Sequence, residues 1–317
     1  MTARGIGGIL AGMMIMTGCG REKAPEPAVP AAEPVVTVAV SGERALEEVR
    51  NFTALGPRVS GTAGAERAAD YLAGRLRELG VEAEIQEFRD RAPGGELVFR
   101  NVIGRIPGTG EGILLFGSHY DTKTGIAEDF EGANDSGSST GLLLELARVF
   151  REGAPHSMEI RLAFFDGEEC AEAYGPADGL HGSRRLAELM EADGSLKKVA
   201  AMILLDMVGD RNLTVTIPRN STPELVAKAF DAARAEGVRR AFQLYPGHIL
   251  DDHVPFLDRG VPAINLIDFH YGSAPGLNDW WHTPEDTMDK LSAESLGIAG
   301  RVAARMAREM LRESSGK

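Results

Sequence analysis

The chain opens on an apolar stretch, MTARGIGGILAGMMIMTGC over 1–19, with one basic residue, Arg4, and small residues ahead of Cys19. A spanning helix needs about 20 apolar residues to cross about 30 Å of hydrocarbon, so this shorter run predicts an export signal instead. Residues 21–36, REKAPEPAVPAAEPVV, show no helical or strand period and carry four prolines, which predicts an extended tether. From about Ser41 the texture changes. Ser41 stands ahead of the acidic turn of a helix at 43–49, and Ala65, Ala68, Ala69, Leu72, Leu76 and Leu79 fall at helical spacing before Gly80, a natural C-cap. Alternation predicts strands near 81–88 and 98–105. Solid apolar runs predict buried strands at 113–116, 160–165, 202–205 and 263–267, with helices near 136–151, 180–192, 222–236 and 292–313 between them. Strands alternating with helices predict one α/β domain over 41–317, a mostly parallel sheet covered on both faces.

Composition narrows the function classes. With 317 residues, 43% hydrophobic and 26% charged, the chain can build a large core, which excludes a disordered protein. Asp and Glu outnumber Lys and Arg by 47 to 34, and the net charge of −13 excludes a binder that tracks nucleic-acid phosphates. Two cysteines, Cys19 and Cys170, make no disulfide framework. The segment Met16-Thr17-Gly18-Cys19 resembles a bacterial lipobox. The expectation is therefore a signal peptide over 1–18, a lipid-bearing Cys19 anchoring the chain to a membrane, and a tether over 19–40. Gly20 lacks the Asp that marks inner-membrane retention, so the expected location is the outer membrane, facing the periplasm.

Candidate chemistry gathers where the buried runs end, as it does in the crevice of an open α/β sheet. Residues 113–116 lead to His119 and Asp121, 160–165 to Asp166, Glu168 and Glu169, and 202–205 to Asp206. A glycine-rich turn with Asp135 precedes a predicted helix, and Trp281-His282 follows the last strand. Any one of these is ordinarily a cap or turn residue. Together His119, Asp135, Glu169, Asp206 and His282 are the N/O donors that zinc takes, and a carboxylate shared by two ions would join a binuclear centre. Glu168 beside Glu169 is then free to act as a general base.

The stretches SHYDTK (118–123), GANDSGS (132–138), FFDGEE (164–169), LLDMVGD (204–210) and WHTPEDT (281–287) resemble, in order, the motifs of the M28 family of zinc peptidases. That family comprises metallo-aminopeptidases and animal-type glutaminyl-peptide cyclotransferases. The resemblance implies a zinc-aminopeptidase-like fold with a mixed, mostly parallel sheet. It also implies metal ligation by Asp135, Glu169 and His282, with His119 and Asp206 as candidates for a second zinc bridged by Asp135. Asp121 would orient His119, and Glu168 would be the catalytic acid/base.

Residues 178–187 and 251–262 resemble the cyclotransferase branch, which uses one zinc. On that branch Asp206 and Asp251 join Glu168 in a catalytic hydrogen-bond network, and Tyr174 stands where a pocket Trp is found. Trp281 lines the pocket, and Asn265, counted with the pocket and the same network, replaces a His that could titrate. The leading expectation is cyclisation of N-terminal Gln to pyroglutamate on peptides or proteins. The alternative is a two-zinc aminopeptidase acting on the same kind of N-terminus. A non-catalytic peptide-binding lipoprotein is the third reading, and an intact ligand set with Glu168 argues against it.

Overall fold

The computed structural model describes residues 38–315; the leader, Cys19 and the tether up to residue 37 lie outside the described residues. Residues 38–40, assigned to the tether by composition, are held to the body. Val38 and Val40 pack on the core, and Arg308 and Arg148 donate to the carbonyls of Val38 and Ala39 at 2.6 and 3.0 Å. Helices α1 (Gly42–Thr53) and α2 (Ala63–Glu78) follow, capped by the Ser41 and Thr62 hydroxyls.

Six strands form the central sheet: β1 (Glu82–Ala92), β2 (Gly95–Ile106), β3 (Ile113–His119), β4 (Glu159–Phe165), β5 (Val199–Asp206) and, last in the chain, β8 (Ala263–Ile267). Their order is β1-β2-β4-β3-β5-β8. The sheet is mixed: β1, β2 and β4 pair antiparallel, whereas β4, β3, β5 and β8 run parallel. Antiparallel β1 and β2 explain the alternating pattern at the edge, and the parallel strands explain the solid apolar runs. Within those runs a period of two still operates. Leu114, Phe116, Ile203 and Leu205 face the core under α1, α2, α3 (Ser139–Glu152), α5 (Pro223–Ala235) and α7 (Ala293–Ser315), while Leu115, Met202 and Leu204 face a second core. That second core is closed by α4 (His181–Ala192) and the single-turn α6 (Val254–Leu257).

Connection β3-α3-β4 steps to one side of β3, and the next crossover places β5 on its other side. The carboxyl ends of β3 and β5 therefore flank a point where the winding reverses, which opens a crevice. A parallel ribbon of β6 (Val215–Pro218) and β7 (Phe242–Tyr245), absent from the sequence expectation, lies beside β8. Among the described residues no helix is long and apolar enough to cross a membrane.

Candidate metal centre and catalytic pocket

His119 is the last residue of β3, Asp206 the last of β5, and Glu168 and Glu169 sit on the turn after β4. Asp135 comes from the tight turn Ala133–Ser138 that leads into α3. Two groups hold that turn. Asp286 accepts the backbone N–H of Asn134 and Asp135 at 2.7 and 3.1 Å, and the wholly buried Arg58 donates to the carbonyls of Tyr120, Glu131 and Gly132 at 2.8, 2.8 and 3.0 Å. His282 adopts φ 56°, and Met207, next to Asp206, adopts φ 47°. Side chains rarely occupy this left-handed region, and its use here aims two donors at one point.

Asp135 lies between two imidazoles, with Oδ1 2.9 Å from His119 Nε2 and Oδ2 3.3 Å from His282 Nε2. His282 Nε2 is also 2.9 Å from Glu169 Oε1, and His119 Nε2 is 3.4 Å from Asp206 Oδ1. The donors form two groups that share Asp135: Asp135, Glu169 and His282, and His119, Asp135 and Asp206. Within each group the ligand atoms lie within 4.8 Å of one another. Asp121 supports both, since its Oδ1 is 3.4 Å from His119 Nδ1 and its two oxygens accept the N–H of Glu168 and Glu169 at 3.2 Å.

Electrostatics shows what this cluster demands. Burial opposes ionisation of Asp135, yet its bonds to His119 and His282 outweigh that and hold its carboxyl below the usual range. Burial also works against the imidazolium of His282, but Asp135 and Glu169 raise its pKa to about 10. The acids thus require positive charge among them, and a divalent cation supplies it. Glu169 Oε2 and Asp206 Oδ1 are buried without a hydrogen-bond partner, although Lys123 Nζ stands 3.4 Å from the former and His119 Nε2 3.4 Å from the latter. Unsatisfied buried carboxylate oxygens are costly, and metal ligation satisfies them. The donor set therefore fits zinc.

Glu168 and Glu169 both line a cavity of about 230 Å³, walled also by Tyr174, Asp206, Asp251 and Trp281. Tyr174 donates its hydroxyl to both Glu168 oxygens at 2.9 and 3.1 Å, a bond that its expected place in the pocket wall did not foretell. Burial, reinforced by Asp251 and Glu169 and only partly offset by His119, raises the Glu168 carboxyl well above its ordinary value. Burial, with Asp206 and Asp252 nearby, does the same to Asp251.

Asn265 donates to Asp251 at 2.6 Å from within β8, where it is fully buried and not part of the pocket wall. Tyr245, His248 and Phe269, none of them sequence candidates, complete the wall through the β6-β7 ribbon and the loop after β8. Asp286 and Lys123 lie inside the stretches 281–287 and 118–123, whose sequence marks them but not the partners they meet.

Comparison with known proteins places this geometry. The model of Peptidase family M28 matches residues 101–307. The glutaminyl-peptide cyclotransferase of Drosophila melanogaster is 31% identical over 276 residues, covering 78% of this chain and 76% of the relative. The solved glutaminyl cyclase of an Acidobacteriales bacterium is 35% identical with a TM-score of 0.82, covering 92% of this chain and 100% of that one. A Zn-dependent exopeptidase from Parabacteroides distasonis is 30% identical with a TM-score of 0.75, covering 84% and 98%. With its donors, glutamates and fold in that family's order, the chain belongs to peptidase family M28.

Proposed function

We propose that this protein is a glutaminyl-peptide cyclotransferase, closing an N-terminal glutamine to pyroglutamate with release of ammonia. The observation that carries the reading is the nearly end-to-end match to a solved glutaminyl cyclase. The geometry supports it, since Glu168 faces a pocket sized for a single residue beside the metal donors. Asp135, Glu169 and His282 would hold one zinc, which when bound supplies a Lewis acid for the γ-carboxamide oxygen. Glu168 takes a proton from the α-amine as its nitrogen bonds to the carboxamide carbon, Cδ, closing a five-membered ring. It then delivers a proton to the amide nitrogen as that C–N bond breaks, so ammonia leaves and the protons balance. Trp281, stacked on His282 at 4.0 Å, forms part of the pocket wall that the residue being cyclised would meet.

A second reading has its own observation. The group His119, Asp135 and Asp206 has the donors for a second zinc, which favours aminopeptidase hydrolysis with Glu168 taking a proton from the attacking water. Metal analysis separates the two. Cyclisation predicts one zinc per chain, retained in His119→Ala, with turnover of Gln-peptides. Two zincs with hydrolysis of aminoacyl-naphthylamides would replace it with the second reading, and no zinc with no turnover would leave a peptide-binding lipoprotein.

The envelope location is part of the proposal and is supported by the sequence of residues 1–20. Labelled fatty acid should enter the wild-type chain and not Cys19→Ala; equal labelling of both would refute the anchor.

A further inference from the structure

We propose that Tyr174 is a positioning residue for Glu168 and that the loop over 170–179 is folded to present it. The inference rests on the reading of Glu168 as the proton-transferring group. Among the described residues, the Tyr174 hydroxyl is the one side-chain group that donates to the Glu168 carboxylate, and it reaches both oxygens. A glutamate's terminal torsion is broad. A donor shared by both oxygens fixes the plane of the carboxylate, and with it the direction in which a proton is taken up and returned.

The loop is built around that bond. Asp178 accepts the backbone N–H of Ala171, Glu172 and Ala173 at 2.6, 2.8 and 2.9 Å, drawing the chain into a turn. Arg184 donates to the carbonyls of Gly175 and Pro176 at 2.7 and 3.1 Å. Leu180 N–H donates to the Glu168 carbonyl at 3.0 Å, which ties the far end of the loop to the residue it serves. The phenol ring lies on Gly179, at φ +76°. A Cβ there would fall 2.5 and 2.7 Å from ring carbons and 2.9 Å from the Glu168 carbonyl oxygen. A side chain at 179 would therefore push the ring from the place where its hydroxyl meets Glu168.

Tyr174→Phe keeps the ring and its packing and removes one charge-assisted bond. The expected result is a kcat lowered roughly 10- to 100-fold with KM, zinc content and thermal stability unchanged. Gly179→Ala, which displaces the ring without removing the hydroxyl, should lower kcat in the same sense. In a Glu168→Gln background Tyr174→Phe should cause no further loss, because the hydroxyl acts through the carboxylate. An unchanged kcat, a rise in KM alone, or an equal loss in both backgrounds would overturn the proposal. Rates are read on whichever substrate the wild type turns over, a Gln-peptide or an aminoacyl-naphthylamide, so failure of the cyclisation reading leaves this test standing. A crystal structure of Tyr174→Phe gives a readout free of turnover: the Glu168 carboxylate should be rotated or split between positions, and an unmoved carboxylate would refute the role.

Discussion

Asp286 holds Asp135 by its backbone: one Asp286 oxygen accepts the Asp135 N–H at 3.1 Å, while the other accepts the Asn134 N–H at 2.7 Å. An acid that follows His282 by four positions thus fixes the turn that delivers the carboxylate shared by both donor groups. The Tyr271 hydroxyl donates to the same acid at 2.7 Å. Asp286→Asn would set an amide N–H₂ against one of two N–H donors, leaving a buried amide unpaired. Zinc affinity should fall about 10- to 100-fold, as for other groups that support a ligand from behind. Competition with a chelator measures this, and an affinity equal to wild type would refute the role.

Glu168 and Glu169 are neighbours with separate tasks. Glu169 meets His282 at 2.9 Å, whereas Glu168 meets Tyr174. Glu168→Gln should keep its zinc and lose about 10²- to 10⁴-fold in kcat, the range for removal of a general acid/base. Glu169→Gln should lose zinc first. Metal analysis beside initial rates checks both, and loss of zinc from Glu168→Gln would contradict the division.

Much of this was legible in the sequence for identifiable reasons. Parallel strands buried on both faces read as solid apolar runs, and the residues that end them, His119 and Asp206, stand where the fold puts its crevice. The β6-β7 ribbon was not legible, because each strand has four residues, too few to show a period, and β6 ends in Pro218. Its absence hid Tyr245 and His248 from the pocket wall. Arg58 escaped notice for a different reason. Its partners lie 62 to 74 residues away in the chain, and no spacing rule links a lone arginine to distant carbonyls. Asn265 was placed by a matching position, which identifies a neighbour of Asp251 but not which side of it faces the pocket.

His253, which is not among the metal donors, gives a pH test. It is fully buried, its Nε2 lies 3.1 Å from Asn220 Nδ2, and burial lowers its pKa from 6.5 to about 3. The folded protein then binds fewer protons than the unfolded chain between those values. The stabilisation present above pH 6.5 is lost as pH falls through this window, by up to about 1.4 kcal/mol per pH unit. Asp166, Asp252 and Asp268, raised to about 7 chiefly by burial, act in the opposite sense, but they are common to wild type and variant. Denaturant unfolding at about pH 7 and about pH 5 should therefore show wild type losing stability relative to His253→Gln. A difference independent of pH would contradict a neutral buried imidazole.

The central claim is that the pocket around Glu168 closes an N-terminal glutamine onto itself. Mass spectrometry of a Gln-initiated peptide incubated with the zinc-loaded protein tests it most directly. Wild type should form a product lighter than the substrate by one ammonia, its N-terminus blocked, and Glu168→Gln should not. Release of free glutamine with a shortened peptide and no pyroglutamate would contradict it.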